Sequence, residues 1–211
     1  MKLKICGMKY KENIIEVANL QPDYMGFIFY EKSPRYVSDS LPELPKAIIK
    51  TGVFVNSSLE YITRVITQYN LKALQLHGNE SVTFCEQLKK NLPNIEVIKV
   101  FSIKDQFDFK TLSPYEDFVD FFLFDTKGTL PGGNGYTFDW SVLKEYTSST
   151  PFFLSGGIGL ESVPQLTDFF KLPIAQKCYA IDVNSKFEIA PALKNRDKLK
   201  QFKTELGAVQ L

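Results

Sequence analysis

Eight short apolar runs punctuate the chain at a nearly even interval, and this spacing limits its architecture more than any other feature. They are Leu3–Cys6, Tyr24–Phe29, Ile49–Val55, Ala73–Leu76, Val97–Phe101, Phe121–Phe124, Phe152–Leu154 and Tyr179–Val183, about one for every 26 of the 211 residues. Each has strand length, and between most of them apolar positions recur at helical spacing. Glu12–Leu20 carries Ile14, Ile15, Val17 and Ala18. Ser58–Tyr69 opens on a serine cap and carries Leu59, Ile62, Val65 and Ile66. Glu80–Leu92, Leu160–Phe170 and Asn195–Leu206 follow the same pattern. Two intervals are weaker. Ser38–Lys46 contains Pro42 and Pro45, and Ile103–Tyr115 is polar and aromatic with a late Pro114. A helix in the first must be short or displaced, because proline breaks helix interiors.

Strands alternating with helices imply βαβ units and a parallel sheet. Eight such units in this length fit an α/β fold of one kind: a single closed (β/α)8 TIM barrel, compact and with few insertions, residues 1–211 forming one domain. No GxGxxG follows the first run, so an open dinucleotide-binding sheet is the weaker alternative. Hydrophobic residues make up 44%, enough for a sizeable core. With 25 Lys+Arg against 24 Asp+Glu, the chain has no basic footprint for nucleic acid or a membrane surface. Its one dense basic stretch, Lys194 to Lys203, reads as the solvated face of a helix. Cys6, Cys85 and Cys178 are odd in number and widely spaced, which signals neither a zinc site nor a disulfide framework. No apolar run has the length of a signal peptide or a membrane helix, and a reducing cytoplasm is the expected location.

A barrel of this kind gathers its active site at the C-terminal ends of the strands. The residues that fall there are Cys6-Gly7, Glu31 to Tyr36, Asn56, His77-Gly78, Asp125-Thr126-Lys127, Ser155 to Gly159 and Asp182 to Ser185. Alternation puts Lys4 and Cys6 on one face of the first strand, where an ammonium would favour a thiolate. A lone cysteine is more often a small buried hydrophobe, and Lys4 could equally pair with a barrel carboxylate. Asp125 closes the run Phe121-Phe122-Leu123-Phe124, and a carboxylate in that place points to function. His77, the only histidine, is as suited to a structural hydrogen bond as to chemistry. Arg35 follows Pro34 in a loop, with a surface salt bridge and anion binding evenly matched. Ser155-Gly156-Gly157-Ile158-Gly159 is a glycine-rich turn before a helix. Its glycines serve a tight turn or let N–H groups approach a phosphate; with Asp182-Val183-Asn184-Ser185 on the next strand the pair points to a phosphate, since barrels often bind one after strands seven and eight. Pro131-Gly132-Gly133-Asn134-Gly135 has the composition of a lid or of a plain surface loop. Cys85 and Cys178 read as packing residues.

Taken together, Lys4-Ile5-Cys6-Gly7-Met8, Ser33-Pro34-Arg35-Tyr36-Val37-Ser38, Leu74-Gln75-Leu76-His77-Gly78, Phe124-Asp125-Thr126, Gly132 to Gly135 with Phe138-Asp139-Trp140, Ser155-Gly156-Gly157-Ile158 and Asp182 to Ser185 resemble the phosphoribosylanthranilate isomerases of tryptophan biosynthesis. The motifs occur in the family's order over nearly the whole chain. The resemblance implies an Amadori rearrangement of N-(5-phosphoribosyl)anthranilate to 1-(2-carboxyphenylamino)-1-deoxyribulose 5-phosphate. It implies Cys6 as general base, Asp125 as general acid and Arg35 as holder of the anthranilate carboxylate. Gly156, Gly157, Asn184 and Ser185 would bind the phosphate, with Lys4, His77, Gly133 and Asp182 in support. No metal or organic cofactor is expected, and the partner is a small phosphorylated substrate. Monomer and homodimer are left open. An acid must carry its proton when substrate binds, so burial or a nearby anion has to act on Asp125. The chain departs from the family's pattern in two places. Lys186 follows Ser185 where Gly is usual, and Pro191-Ala192-Leu193-Lys194-Asn195 stands for a Pro-Gly-x-Lys-Asp pattern. A lysine in a glycine's place requires ordinary backbone angles or a strained one.

Overall fold

The computed structural model describes residues 1–104, 106–126 and 139–209. Eight parallel strands close into a barrel in chain order: β1 (Lys2–Ile5), β2 (Tyr24–Ile28), β3 (Ile49–Phe54), β4 (Ala73–Leu76), β5 (Glu96–Ile103), β6 (Phe121–Thr126), β7 (Phe152–Leu154) and β8 (Cys178–Val183). Closure is the pairing of β1 with β8, which sets Lys4 opposite Asp182. The strands coincide with the apolar runs to within a residue or two. β5 and β6 each continue two residues past theirs, so Asp125 and Thr126 lie within a strand.

Side chains alternate across a strand, and here the alternation sorts them into two packed sets. Tyr24, Ala73, Ile98, Val100, Phe121, Leu123, Phe153 and Ala180 form one cluster, inside the barrel. Met25, Phe27, Leu74, Val97, Phe122, Phe124, Phe152 and Ile181 belong to a larger cluster, outside it and under the helices. Two residues further along the inward rows of β4, β6, β7 and β8 come Gln75, Asp125, Ser155 and Asp182. The apolar fill therefore ends where polar chemistry begins.

Among the described residues, five α-helices cover the barrel: α1 (Lys11–Ala18), α2 (Leu59–Tyr69), α3 (Val82–Asn91), α4 (Val163–Phe169) and α5 (Arg196–Ala208). Ser58, Ser81 and Asn195 cap α2, α3 and α5 by accepting hydrogen bonds from Tyr61, Phe84 and Lys198 backbone N–H groups, the usual means of satisfying orphan donors. α2 buries Ile62, Val65, Ile66 and Tyr69, and burying each aliphatic among them contributes about 1.5–3 kcal/mol. The stretch holding Pro42 and Pro45 forms no helix. Phe109–Phe118, with Pro114 inside, and Trp140–Glu145 are 3-10 segments. The helix expected over Leu160–Phe170 begins as a 3-10 turn at Leu160–Ser162 and leaves only seven α-helical residues.

One feature was not foreseen from sequence. After β8, the 3-10 turn Ser185–Phe187 leads into an antiparallel hairpin of β9 (Glu188–Ala190) and β10 (Leu193–Lys194). Lys194 therefore does not sit on a solvated helix face. It is 1% exposed, whereas Arg196, Lys198 and Lys200 of α5 are exposed. The hairpin turns through Ala192 at φ 68°, in the left-handed region that costs an L-residue roughly 1–2 kcal/mol.

Candidate active site

At the C-terminal rim of β1, Cys6 is 4% exposed and packs into space left by a glycine. A Cβ on Gly26 of β2 would lie 2.6 Å from the Cys6 Sγ. Gly7 follows at φ +77°, a left-handed turn that glycine adopts without steric cost. A Cβ on Gly7 would lie 2.6 Å from Asn184 Oδ1 and 2.7 Å from Arg35 Cδ, so the missing side chain lets both residues cross the end of β1.

Below Cys6 on the same face, Lys4 is fully buried. Its Nζ donates to Asp182 Oδ1 at 2.8 Å, and its charge acts on the neighbouring Cys6 thiol. The other Asp182 oxygen accepts from Ser155 Oγ at 3.1 Å. The pairing of Lys4 with a barrel carboxylate is the one observed directly. Burial pulls the Lys4 ammonium down, but Asp182 and Cys6 together hold it above the ordinary lysine range. Burial pushes the Cys6 thiol up; Lys4 opposes this, Asp182 adds to it, and Lys194 pulls in the same direction as Lys4. The expected direction of the lysine's influence holds, but burial outweighs it.

Across the barrel, Asp125 is 7% exposed. Its Oδ1 accepts from the Thr126 backbone N–H at 2.9 Å, and its Oδ2 lies 3.4 Å from His77 Nε2. Gln75 Nε2 is 2.9 Å from His77 Nδ1. A Gln75 amide donating to Nδ1 leaves the imidazole proton on Nε2, facing Asp125. His77 thus lies between Gln75 and Asp125.

Arg35 is engaged with Glu188 of β9. Its Nε donates to Glu188 Oε1 at 2.8 Å and its Nη2 to Oε2 at 2.7 Å. The paired side chains are 15% and 7% exposed, so this is not a surface salt bridge. Glu188 Oε1 also accepts from Lys194 Nζ at 2.8 Å and from the Ala192 N–H at 3.0 Å. Lys194 Nζ continues to Asn184 Oδ1 at 2.6 Å. The Glu188 bonds raise the Arg35 guanidinium above its ordinary value. Burial alone would raise the Glu188 carboxyl, but Arg35 and Lys194 hold it below the usual range. Burial pushes the Lys194 ammonium down to about 8.

The glycine-rich turn after β7 carries Gly156 at φ +93° and Gly157 at φ +67°. A side chain on Gly156 would collide with Thr126 of β6, so this glycine is required by strand packing as well as by the turn. Lys186 is not among the non-glycine residues at positive φ, and its Nζ reaches Glu161 Oε1 at 2.8 Å. The substitution of lysine for the family's glycine is thus accommodated without strain.

Cys6, Arg35, His77, Asp125, Gly156, Gly157, Asp182, Asn184 and Ser185 all line one cavity, which with its mouth encloses about 740 Å³. The structure brings every one of these sequence-derived candidates together. Gly133 and the rest of its loop lie outside the described residues. Cys85 and Cys178 are buried away from the cavity, and burial pushes their thiols up to about 11 and about 12. Sequence reasoning missed Glu188 and Lys194. The available signal was a glutamate beside Phe187 with a lysine six residues on, both next to the expected phosphate loop. It also missed Glu80, placed in a helix by periodicity but lying just before α3. Glu80 accepts from the Asn56 and Gly78 N–H groups and pairs with buried Lys99 at 3.1 Å.

The family model of N-(5'phosphoribosyl)anthranilate (PRA) isomerase matches residues 3–205. The N-(5'-phosphoribosyl)anthranilate isomerase of Parabacteroides distasonis is 44% identical over 211 residues, covering 96% of this chain and 91% of that protein. The crystal structure of phosphoribosyl anthranilate isomerase from Thermotoga maritima superposes with a TM-score of 0.83 at 32% identity, covering 99% of both chains. A phosphoribosyl anthranilate isomerase in complex with reduced 1-(o-carboxyphenylamino)-1-deoxyribulose 5-phosphate gives a TM-score of 0.80 at 30% identity, again covering 99% of both. With a rim of Cys6, Asp125 and Arg35 and these relatives over its full length, the chain belongs to the phosphoribosylanthranilate isomerase family.

Proposed function

We propose that this chain catalyses the isomerisation for which its family is named, with Cys6 as general base and Asp125 as general acid. One observation carries the assignment: a thiol and a carboxyl, each with its own supporting partners, face one cavity from β1 and β6. Asp125 donates a proton to the ribose ring oxygen as the anilino nitrogen's lone pair breaks the C1–O bond, leaving a protonated Schiff base. The Cys6 thiolate takes the proton from C2, and the resulting enol-amine tautomerises to the aminoketose. No external oxidant or reductant is needed, because C1 is reduced as C2 is oxidised. Each group of this kind supplies roughly 10²–10⁴-fold.

The ligand in the related complex carries an aryl carboxylate and a 5-phosphate. Arg35 fits the first. The backbone at Gly156 and Gly157, with Asn184 and Ser185, fits the second. The direct test is the fluorescence of phosphoribosylanthranilate. Addition of the protein makes it decay, and Arg35→Ala raises KM by at least tenfold, the order of one charge-assisted hydrogen bond, with a smaller change in kcat. A flat trace with the wild-type protein would reject the assignment.

A further inference from the structure

Glu188 is the hub of a buried ionic cluster at the rim that includes Arg35 and Lys194, and neither acid nor base chemistry calls on it. We propose that Glu188 is a positioning residue for Arg35: it fixes one edge of the guanidinium so that the opposite edge faces the cavity, ready for the substrate carboxylate. This rests on the assignment of Arg35 to that carboxylate.

The geometry supports a clamp in three ways. First, a guanidinium offers five N–H donors in a rigid fork, and Glu188 takes the Nε and Nη2 edge in a bidentate pair. The Nη1 edge is left for a second carboxylate while Arg35 lines the cavity. Second, these are the only side-chain hydrogen bonds of Arg35 among the described residues. Its segment has no helix to hold it, and Gly7 leaves its Cδ open passage across β1. Third, Glu188 is itself held from behind by Lys194 Nζ and the Ala192 N–H. Lys194 is in turn anchored on Asn184 Oδ1 and, through its backbone N–H, on Asn13. A carboxylate bound on three sides and 7% exposed is not a latch that an arriving substrate pushes aside. It also compensates the charge: Glu188 stands between two cations that would otherwise repel each other at close range.

The test measures the binding of two ligands to the intact protein: the reduced 1-(o-carboxyphenylamino)-1-deoxyribulose 5-phosphate and the same molecule lacking the aryl carboxylate. Glu188→Gln should weaken the carboxylated ligand by roughly tenfold and leave the decarboxylated one unchanged, because only the former uses the oriented edge. Glu188→Asp keeps the charge beside Lys194 but is too short to span both partners; it should show the same selective loss if the glutamine variant does not fold. Equal weakening of both ligands would make Glu188 merely structural. Tighter binding of the carboxylated ligand would make it a competing latch. Either result overturns the proposal. Arg35→Ala separates the two levels. If it abolishes the preference for the carboxylated ligand while Glu188→Gln and Glu188→Asp preserve it, the clamp alone fails. If Arg35→Ala itself leaves the preference intact, the Arg35 assignment fails and the clamp with it.

Discussion

Lys4 carries two loads at one atom. Its ammonium neutralises Asp182 at 2.8 Å and favours the charged form of the Cys6 side chain above it. Because burial holds the thiol above its ordinary range, Cys6 is protonated at neutral pH in the free protein. Its fraction as base grows as pH rises, so the acidic limb of the kcat profile should climb with pH into the alkaline range. A high thiol pKa also makes the thiolate a stronger base once formed. Lys4→Met should raise the thiol further and lower kcat at neutral pH, roughly tenfold for each 1.4 kcal/mol of lost thiolate stabilisation. Thiolate absorbance titration reads the first effect directly; an unmoved Cys6 would refute it. The same variant leaves Asp182 buried without its cation, which costs about 3–5 kcal/mol, so the titration is done under conditions where folding is verified. That Lys4 and Cys6 share a face was legible in the sequence, since strand alternation has no exceptions over three residues. That burial outweighs the lysine was not, because it depends on barrel closure packing β8 beside β1.

At the scale of elements, the strands were legible because their residues are mostly buried on both faces and form short, largely apolar runs. Helices were legible where periodicity ran without proline, as in α2, and were lost where Pro42, Pro45 and Pro114 intervene. The β9–β10 hairpin left no such trace: it has three and two residues, and Ile189 is 67% exposed. Its one signature, a Lys194 counted with the basic run of α5, pointed the wrong way. Glu80 illustrates the same limit. Its side chain fastens the ends of β3 and β4 by accepting from Asn56 and Gly78, and pairs with Lys99 of β5, both side chains 2–3% exposed. The strand end it fastens carries His77. Glu80→Ala should therefore cost about 3–5 kcal/mol, the order for breaking a buried pair, seen as a shift of the urea midpoint. A change below about 0.5 kcal/mol, the scale of a surface substitution, would show that the loop ends are held by other means.

Over the whole molecule, closure turns distance in sequence into proximity. Position 6 opens the barrel, position 182 closes it, and the register that sets Lys4 against Asp182 also brings Asn184 and Ser185 to the same cavity as Cys6. Asp125 stands on the far side of the same cavity with His77 behind it. Closure thus gives the thiol and the carboxyl different neighbours within one fold. In the proposed reaction these two groups, and not the binding residues, carry the chemistry. The most direct measurement is the rate of phosphoribosylanthranilate fluorescence decay at saturating substrate in Cys6→Ala and Asp125→Ala, with circular dichroism confirming the fold. Each variant should lose at least about 100-fold in kcat; near-wild-type turnover in either would contradict its role.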